Sequence, residues 1–275
     1  MSDLAEQVTR LWEGRDDLAA VMPQTEARVV VHEAIDLLDR GEARVAEVVG
    51  GDVVVHEWLK QAILLLFRLE DLAVMEVGPF EFHDKLPLKH DYPSARVRVV
   101  PGGSARWGSY LAPGVILMPS YVNIGAHVGA ETMVDTWATV GSCAQIGERV
   151  HLSGGVGIGG VLEPPQAAPV IVEDDAMVGS RCMVTQGARV GEGSVLGEGV
   201  ILNPAIPVID AESGEEVGRG VVPPWCIVVQ AIRKRDFPGG EFGLPCALIL
   251  RRLEPGERAD KAKLNEILRE HGVGS

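Results

Sequence analysis

The chain has 275 residues, 46 % of them hydrophobic and 23 % charged, the composition of a folded globular protein rather than a disordered one. Lys and Arg number 25 against 39 Asp and Glu, a formal net charge of −14, and a field of that sign repels nucleic acid and anionic membranes. With 33 Gly and 5 % aromatic residues, the sequence suits a fold of many tight turns.

The amino terminus, MSDLAEQVTRLWEGRDD, lacks the basic start and apolar run of a signal peptide, so a cytoplasmic location is expected. The longest apolar run, Ala62–Phe67, falls far short of the ~20 residues a membrane helix needs. Residues 1–100 read as a mostly helical domain. Apolar positions recur at helical spacing over Ala27–Leu38, with Gly41 as a stop, and again over Trp58–Leu69. Gly78-Pro79, Pro87 and Pro93 then break the pattern, and Val97–Val100 reads as a short strand.

Residues 101–228 repeat every six residues. Steps of six from Ile116 give Val122, Val128, Val134, Val140, Ile146, Leu152 and Ile158. After an interruption at Leu162–Pro169 the phase resumes with Val172, Val178, Val184, Val190, Leu196 and Leu202. A small residue follows most anchors by four positions (Ala126, Thr132, Ala138, Ala144, Ala176, Cys182, Ala188, Ser194), and Gly often follows directly (Gly129, Gly141, Gly147, Gly159, Gly179, Gly191, Gly197). A six-residue period is the signature of a parallel β-helix, in which three hexads close one triangular coil and the aliphatic anchors fill its core. Gly beside the anchor supplies a positive φ or a close backbone approach. The run Gly154–Gly160 lacks the G-x-G-x-x-G spacing and the following helix of a dinucleotide loop. The interruption reads as an inserted loop, which in solenoids clusters on the functional face.

Residues 229–275 read as a C-terminal cap: a strand-like run from Ile227 to Val229, the basic cluster Arg233-Lys234-Arg235, a second apolar run Ala247–Leu250, and a helix over Asp260–His271. The four cysteines, Cys143, Cys182, Cys226 and Cys246, have no C-x2-C spacing and read as buried free thiols.

The repeat breaks its own rule where a polar residue follows the anchor: Asn123, Asp135, Ser153, Glu173, Thr185 and Asn203. Asn and Asp tolerate left-handed turns, which accounts for Asn123 and Asn203. The same account is open to Asp135, but that residue stands two positions before Trp137, a bulky ring where the repeat favours small residues, and it is the best catalytic candidate. His127 and His151 also lie in the coils. Each can be a packed polar group or a base, and without a third coil histidine a three-histidine zinc site is incomplete, so no metal is expected.

The stretch from Leu117 to Pro164, with Met133-Val-Asp-Thr-Trp-Ala-Thr139 at its centre, resembles the tetrahydrodipicolinate N-succinyltransferases. Weaker likeness extends through Arg44-Val-Ala-Glu47, Glu57-Trp-Leu-Lys60, Leu66-Phe-Arg68 and Lys263-Leu-Asn-Glu-Ile-Leu-Arg269. The resemblance implies a mainly β fold, a left-handed parallel β-helix with an N-terminal helical domain and a C-terminal cap. It implies a homotrimer with active sites between subunits and succinyl transfer from succinyl-CoA to the amino group of ring-opened tetrahydrodipicolinate. Carried over by residue, Arg98 corresponds to an arginine that holds a substrate carboxylate, Asp135 to the aspartate at the substrate amine, and Arg181 to a second carboxylate partner. Trp137 and Ser153 are the further substrate contacts expected.

An amine attacking a thioester must be neutral and aimed, which a nearby carboxylate promotes. Backbone N–H groups at Gly159 and Gly160 are the expected oxyanion donors, and Arg233, Lys234 and Arg235 the expected partners of the CoA phosphates. Two departures bear on the donor. Met183 and Gln186 stand where the family usually has glutamates, which leaves acetyl-CoA as the alternative to succinyl-CoA.

Overall fold

In the computed structural model, which describes residues 2–257, the first layer is built from helices α1 (Ser2–Glu13), α2 (Leu18–Val21), α3 (Gln24–Asp39) and α4 (Glu57–Leu69). The apolar stripe of α3, from Ala27 to Leu38, is buried against that of α4, from Leu59 to Leu69. Gly41 ends α3 as expected, at φ 72°. Its N–H donates to Leu38 and that of Glu42 to Leu37, the paired bonds of a Schellman cap.

The layer is less helical than the sequence pattern predicts. Two antiparallel hairpins, Ala46–Val49 with Asp52–Val55 and Ala73–Val77 with Phe80–Asp84, interrupt it. Ile124 and Cys143 of the following coil complete its core.

From Arg98 onward, two-residue strands visit three parallel faces in rotation. Arg98–Val99, Ile116–Leu117, Met133–Val134, His151–Leu152, Met177–Val178 and Val195–Leu196 stack on the first face. Ser104–Ala105, Tyr121–Val122, Thr139–Val140, Gly157–Ile158, Met183–Val184 and Ile201–Leu202 form the second. Tyr110–Leu111, His127–Val128, Gln145–Ile146, Ile171–Val172, Arg189–Val190 and Val221–Val222 form the third. The second residue of each strand points inward, and these anchors form one continuous buried column. Each buried aliphatic side chain contributes roughly 1.5–3 kcal/mol.

The hexad register slips once. Leu117, not Ile116, is the anchor paired with Val134, and the phase extends back through Leu111 and Ala105. The turn from Met118 to Tyr121 is one residue short, closed by the Ser120 hydroxyl donating to the Met118 carbonyl at 2.8 Å.

Positive φ falls three residues past the anchor rather than one, at Gly125, Glu131, Trp137, Cys143, Arg149, Gly155, Asp175, Arg181, Gly187, Gly193 and Gly199. Gly directly after the anchor answers to close approach instead. A Cβ at Gly129 would run into the Gly147 backbone, and one at Gly141 into Gly159–Gly160. Asn123, Asp135 and Asn203 are not left-handed. Their side-chain oxygens accept backbone N–H groups from Ile124 at 2.9 Å, Thr136 at 2.6 Å and Ala205 at 2.9 Å, respectively.

The first face continues into a long antiparallel hairpin, Cys226–Phe237 with Gly240–Arg252, whose first strand runs unbroken through residues 228–229. The helix expected over Asp260–His271 lies outside the described residues. All four cysteines are free and buried, and burial pushes the Cys143 thiol up to about 12. Among the described residues no helix is long and apolar enough to cross a membrane.

Candidate active site

Stacking of the coils decides which residues meet. Met133 pairs with His151 and Val134 with Leu152, so Asp135 sits directly beneath Ser153 at the corner between the first and second faces. The Asp135 N–H donates to the Leu152 carbonyl at 2.9 Å, which fixes its backbone on the next coil. One carboxylate oxygen, Oδ1, accepts the Thr136 N–H at 2.6 Å and the Thr136 hydroxyl at 3.2 Å. The other, Oδ2, faces Nε2 of His151 at 3.7 Å, with both side chains about 30 % exposed. An aspartate held at one oxygen and open at the other can present a negative charge to an ammonium or take a proton from it.

Four of the sequence candidates gather at this corner. Trp137 is 72 % exposed, anchored by its N–H to the Pro119 carbonyl at 2.7 Å. Ser153 is buried beside Asp135 on the next coil. Arg181, on the coil after that, lays its side chain over Gly155, whose missing Cβ makes the room. Its exposed guanidinium can therefore reach an anion at the corner. Arg98 stands on the same first face, in line with Ile116 and Met133. Two strand spacings, ~10 Å, separate its strand from that of Asp135.

The remaining candidates lie elsewhere on the chain. Gly159 and Gly160 occupy the next corner, between the second and third faces, where the loop 160–169 leaves the coil. The Gly159 N–H is committed to the Val184 carbonyl at 2.8 Å, so it has no donor to spare for an oxyanion. Arg233, Lys234 and Arg235 project from the terminal hairpin. Arg233 meets Glu216 at 3.3 Å and Lys234 meets Glu241 at 2.8 Å, while Arg233 and Arg235 line a cavity of about 400 Å³ with Arg219 and Phe237. Met183 is exposed on the second face with its thioether over Gly157.

His151 is the group that reading the sequence left unassigned. Its signal was available, because 18 residues make one coil and His151 stands 18 positions after Met133. A second residue gave no such signal. Lys60 of α4 is fully buried, and its Nζ donates to the carbonyls of Ala167 at 2.7 Å and Pro164 at 3.3 Å, tying the inserted loop to the helical layer. Burial lowers its pKa. No group of three or more His, Cys, Asp or Glu side chains among the described residues is arranged to hold a metal ion.

Comparison with known proteins bears on what such a corner does. A family model described as "Tetrahydrodipicolinate N-succinyltransferase N-terminal" matches residues 3–69, and one described as "Hexapeptide repeat of succinyl-transferase" matches residues 169–204. The 2,3,4,5-tetrahydropyridine-2,6-dicarboxylate N-succinyltransferase of Methylorubrum extorquens is 47 % identical over 98 % of this chain and 99 % of its own length. The proteins of the same name from a Methylobacterium species and from Idiomarina loihiensis are 48 % and 46 % identical, each over 98 % of this chain and 99 % of their own.

Proposed function

The chain belongs to the tetrahydrodipicolinate N-succinyltransferases, and we propose on that footing that its Asp135 corner joins a succinyl group to the amine of ring-opened tetrahydrodipicolinate. It is an acyltransferase of lysine and diaminopimelate biosynthesis, and the observation that carries this is full-length identity of 46–48 % to relatives named for that reaction. The acetyl-CoA alternative is not favoured, since those relatives are succinyltransferases.

In the proposed chemistry the substrate amine attacks the thioester carbonyl of succinyl-CoA. The C–N bond forms, the tetrahedral intermediate collapses with loss of the C–S bond, and CoA leaves as its thiol. Asp135 orients the amine through Oδ2 and receives the proton that nitrogen sheds. What supports this role is the division of labour between its oxygens, one fixed by Thr136 and the other open beside His151. Arg98 and Arg181 hold the two carboxylates, a task for which a planar guanidinium fork is suited. Trp137 and Ser153 shape the contact surface between them.

The coil is left-handed and the molecule a homotrimer in this reading, with the exposed Trp137 and Arg98 meeting a neighbouring subunit across the site. Arg233, Lys234 and Arg235 meet the CoA phosphates, Gly160 contributes at the oxyanion, and no metal takes part. The enzyme acts in the cytoplasm.

Thiol release with tetrahydrodipicolinate as acceptor, succinyl-CoA and acetyl-CoA compared side by side, tests the reaction. A strong preference for succinyl-CoA is expected and makes Met183 and Gln186 tolerated changes; preference for acetyl-CoA, or silence with both, overturns the assignment. Light scattering tests the assembly, where a monomer removes the intersubunit site.

A further inference from the structure

A cavity of about 650 Å³ opens on the third face of the coil, away from the Asp135 corner, between that face and the segment from Gly41 to Val48. That volume is within the ~300–1,000 Å³ typical of small-molecule sites. Tyr110, His127 and Gln145 stack there on successive coils. The Tyr110 and His127 rings lie 4.8 Å apart.

Gln145, only 2 % exposed, is fixed by its Nε2, which donates to the carbonyls of Cys143 at 2.9 Å, Ala144 at 3.3 Å and Gly125 at 3.4 Å. Its Oε1 therefore points at Arg44 and accepts the Arg44 Nε–H at 3.0 Å. The guanidinium is held at one edge, while its two terminal nitrogens have no protein partner among the described residues. A half-buried guanidinium with a free fork is the usual counterpart of a carboxylate. His127 lines the same cavity, and its Nδ1 is buried without a hydrogen-bond partner. Burial, then the Arg44 charge, push the imidazole down to about 3, so it adds no positive charge.

The other charged residues of the lining, Glu47, Glu148, Glu173, Asp174 and Glu192, are acidic. Glu148 is paired with Arg149 and Glu173 with Arg189, and one oxygen of Glu47 meets Nε2 of His56 at 3.2 Å. Glu47 and Asp174 are the carboxylates whose charge acts on Arg44 without either being bonded to it. Such a rim disfavours a ligand of net negative charge, such as a simple dicarboxylate or a phosphate. A ligand that satisfies both parts carries one carboxylate for Arg44 and more than one cationic group for the rim.

We propose that this cavity is a second binding site, for a cationic α-amino acid, with the carboxylate on the Arg44 fork and the ammonium groups toward Glu47 and Asp174. The site is independent of the acyl-transfer reading, since it shares no residue with the Asp135 corner.

Calorimetric titration of the full chain with L-lysine, L-norleucine and pimelate separates the parts. Lysine should bind at least about tenfold more tightly than norleucine, which lacks the side-chain ammonium, and any binding of pimelate, which Arg98 and Arg181 at the Asp135 corner can provide, should be unchanged by Arg44→Gln. Arg44→Gln should weaken lysine by at least about tenfold. Asp174→Asn, which keeps an oxygen for the Glu148 N–H, should weaken lysine but not norleucine. Asp135→Asn should bind lysine as the unaltered protein does. The proposal is overturned if lysine gives no heat at millimolar concentration, if Arg44→Gln weakens pimelate as much as it weakens lysine, if neither the Arg44 nor the Asp174 change alters lysine affinity, or if Asp135→Asn abolishes it.

Discussion

Asp135 and His151 come from adjacent coils, yet Oδ2 of one lies 3.7 Å from Nε2 of the other because the solenoid stacks residues 18 apart. Asp135→Asn leaves an oxygen for the Thr136 N–H and removes the charge and the proton acceptor. Turnover should fall by about 10²-fold or more with the melting temperature unchanged. Steady-state thiol release and a thermal melt on the same sample check this, and near-normal turnover refutes the role.

Arg98 is exposed on the first face, ~10 Å along the coil from the Asp135 strand. Arg98→Ala should raise KM for the dicarboxylate by about tenfold while leaving that for succinyl-CoA within about twofold. Equal effects on both substrates would mean that the arginine serves the site only through structure.

His127 is neutral in the folded chain, with its pKa pushed down to about 3 by burial and then by Arg44. In the unfolded chain the ring takes a proton near its ordinary 6.5, so between these values the unfolded state binds more protons. Stability from this group is therefore complete above ~6.5 and lost as pH falls toward ~3. Arg44, Glu47 and Asp174 line the same cavity and are present in both proteins, so the comparison is His127→Phe against the unaltered protein. Between pH 7 and 5 the unaltered protein should lose about 2 kcal/mol more than the variant in urea unfolding. Parallel pH profiles would refute the burial argument.

Gly141 lies where a Cβ would strike the backbone of Gly159–Gly160 on the next coil. Backbone cannot step aside as a side-chain tip can, so Gly141→Ala should cost about 3 kcal/mol. Gly199, with open space around its Cα but φ 74°, should cost about 1 kcal/mol on the same change, through conformation alone. Denaturant melts of the two variants separate crowding from backbone strain.

Much of this was legible in the residues. The aliphatic period announced the parallel coil, and the apolar stripes of α3 and α4 announced those helices, because both patterns come from one-dimensional spacing. The register slip was not legible, since Ile116 and Leu117 are both aliphatic and only the short turn after them decides which points inward. The exposed hairpins within the first hundred residues were missed because strands of four or five residues leave little periodicity to read. Lys60 was hidden for a different reason: its carbonyl partners lie more than a hundred positions along the chain. The corner itself was half legible. Asp135 and Trp137 stood out by breaking a repeat, whereas the pairing of His151 with Asp135 did not, because it follows from coil length rather than from neighbours in sequence.

Asp135, Ser153 and Gly179 occupy one column, equivalent rungs of a ladder spaced ~4.8 Å apart. A scaffold with that translational symmetry offers the same backbone frame to a side chain at each step. Moving the carboxylate from position 135 to 153 would shift the reacting centre one rung toward the Arg181 end and away from Arg98. The length of acceptor that the enzyme accepts is thus, in principle, adjustable in fixed increments, by choosing the rung rather than by rebuilding a pocket.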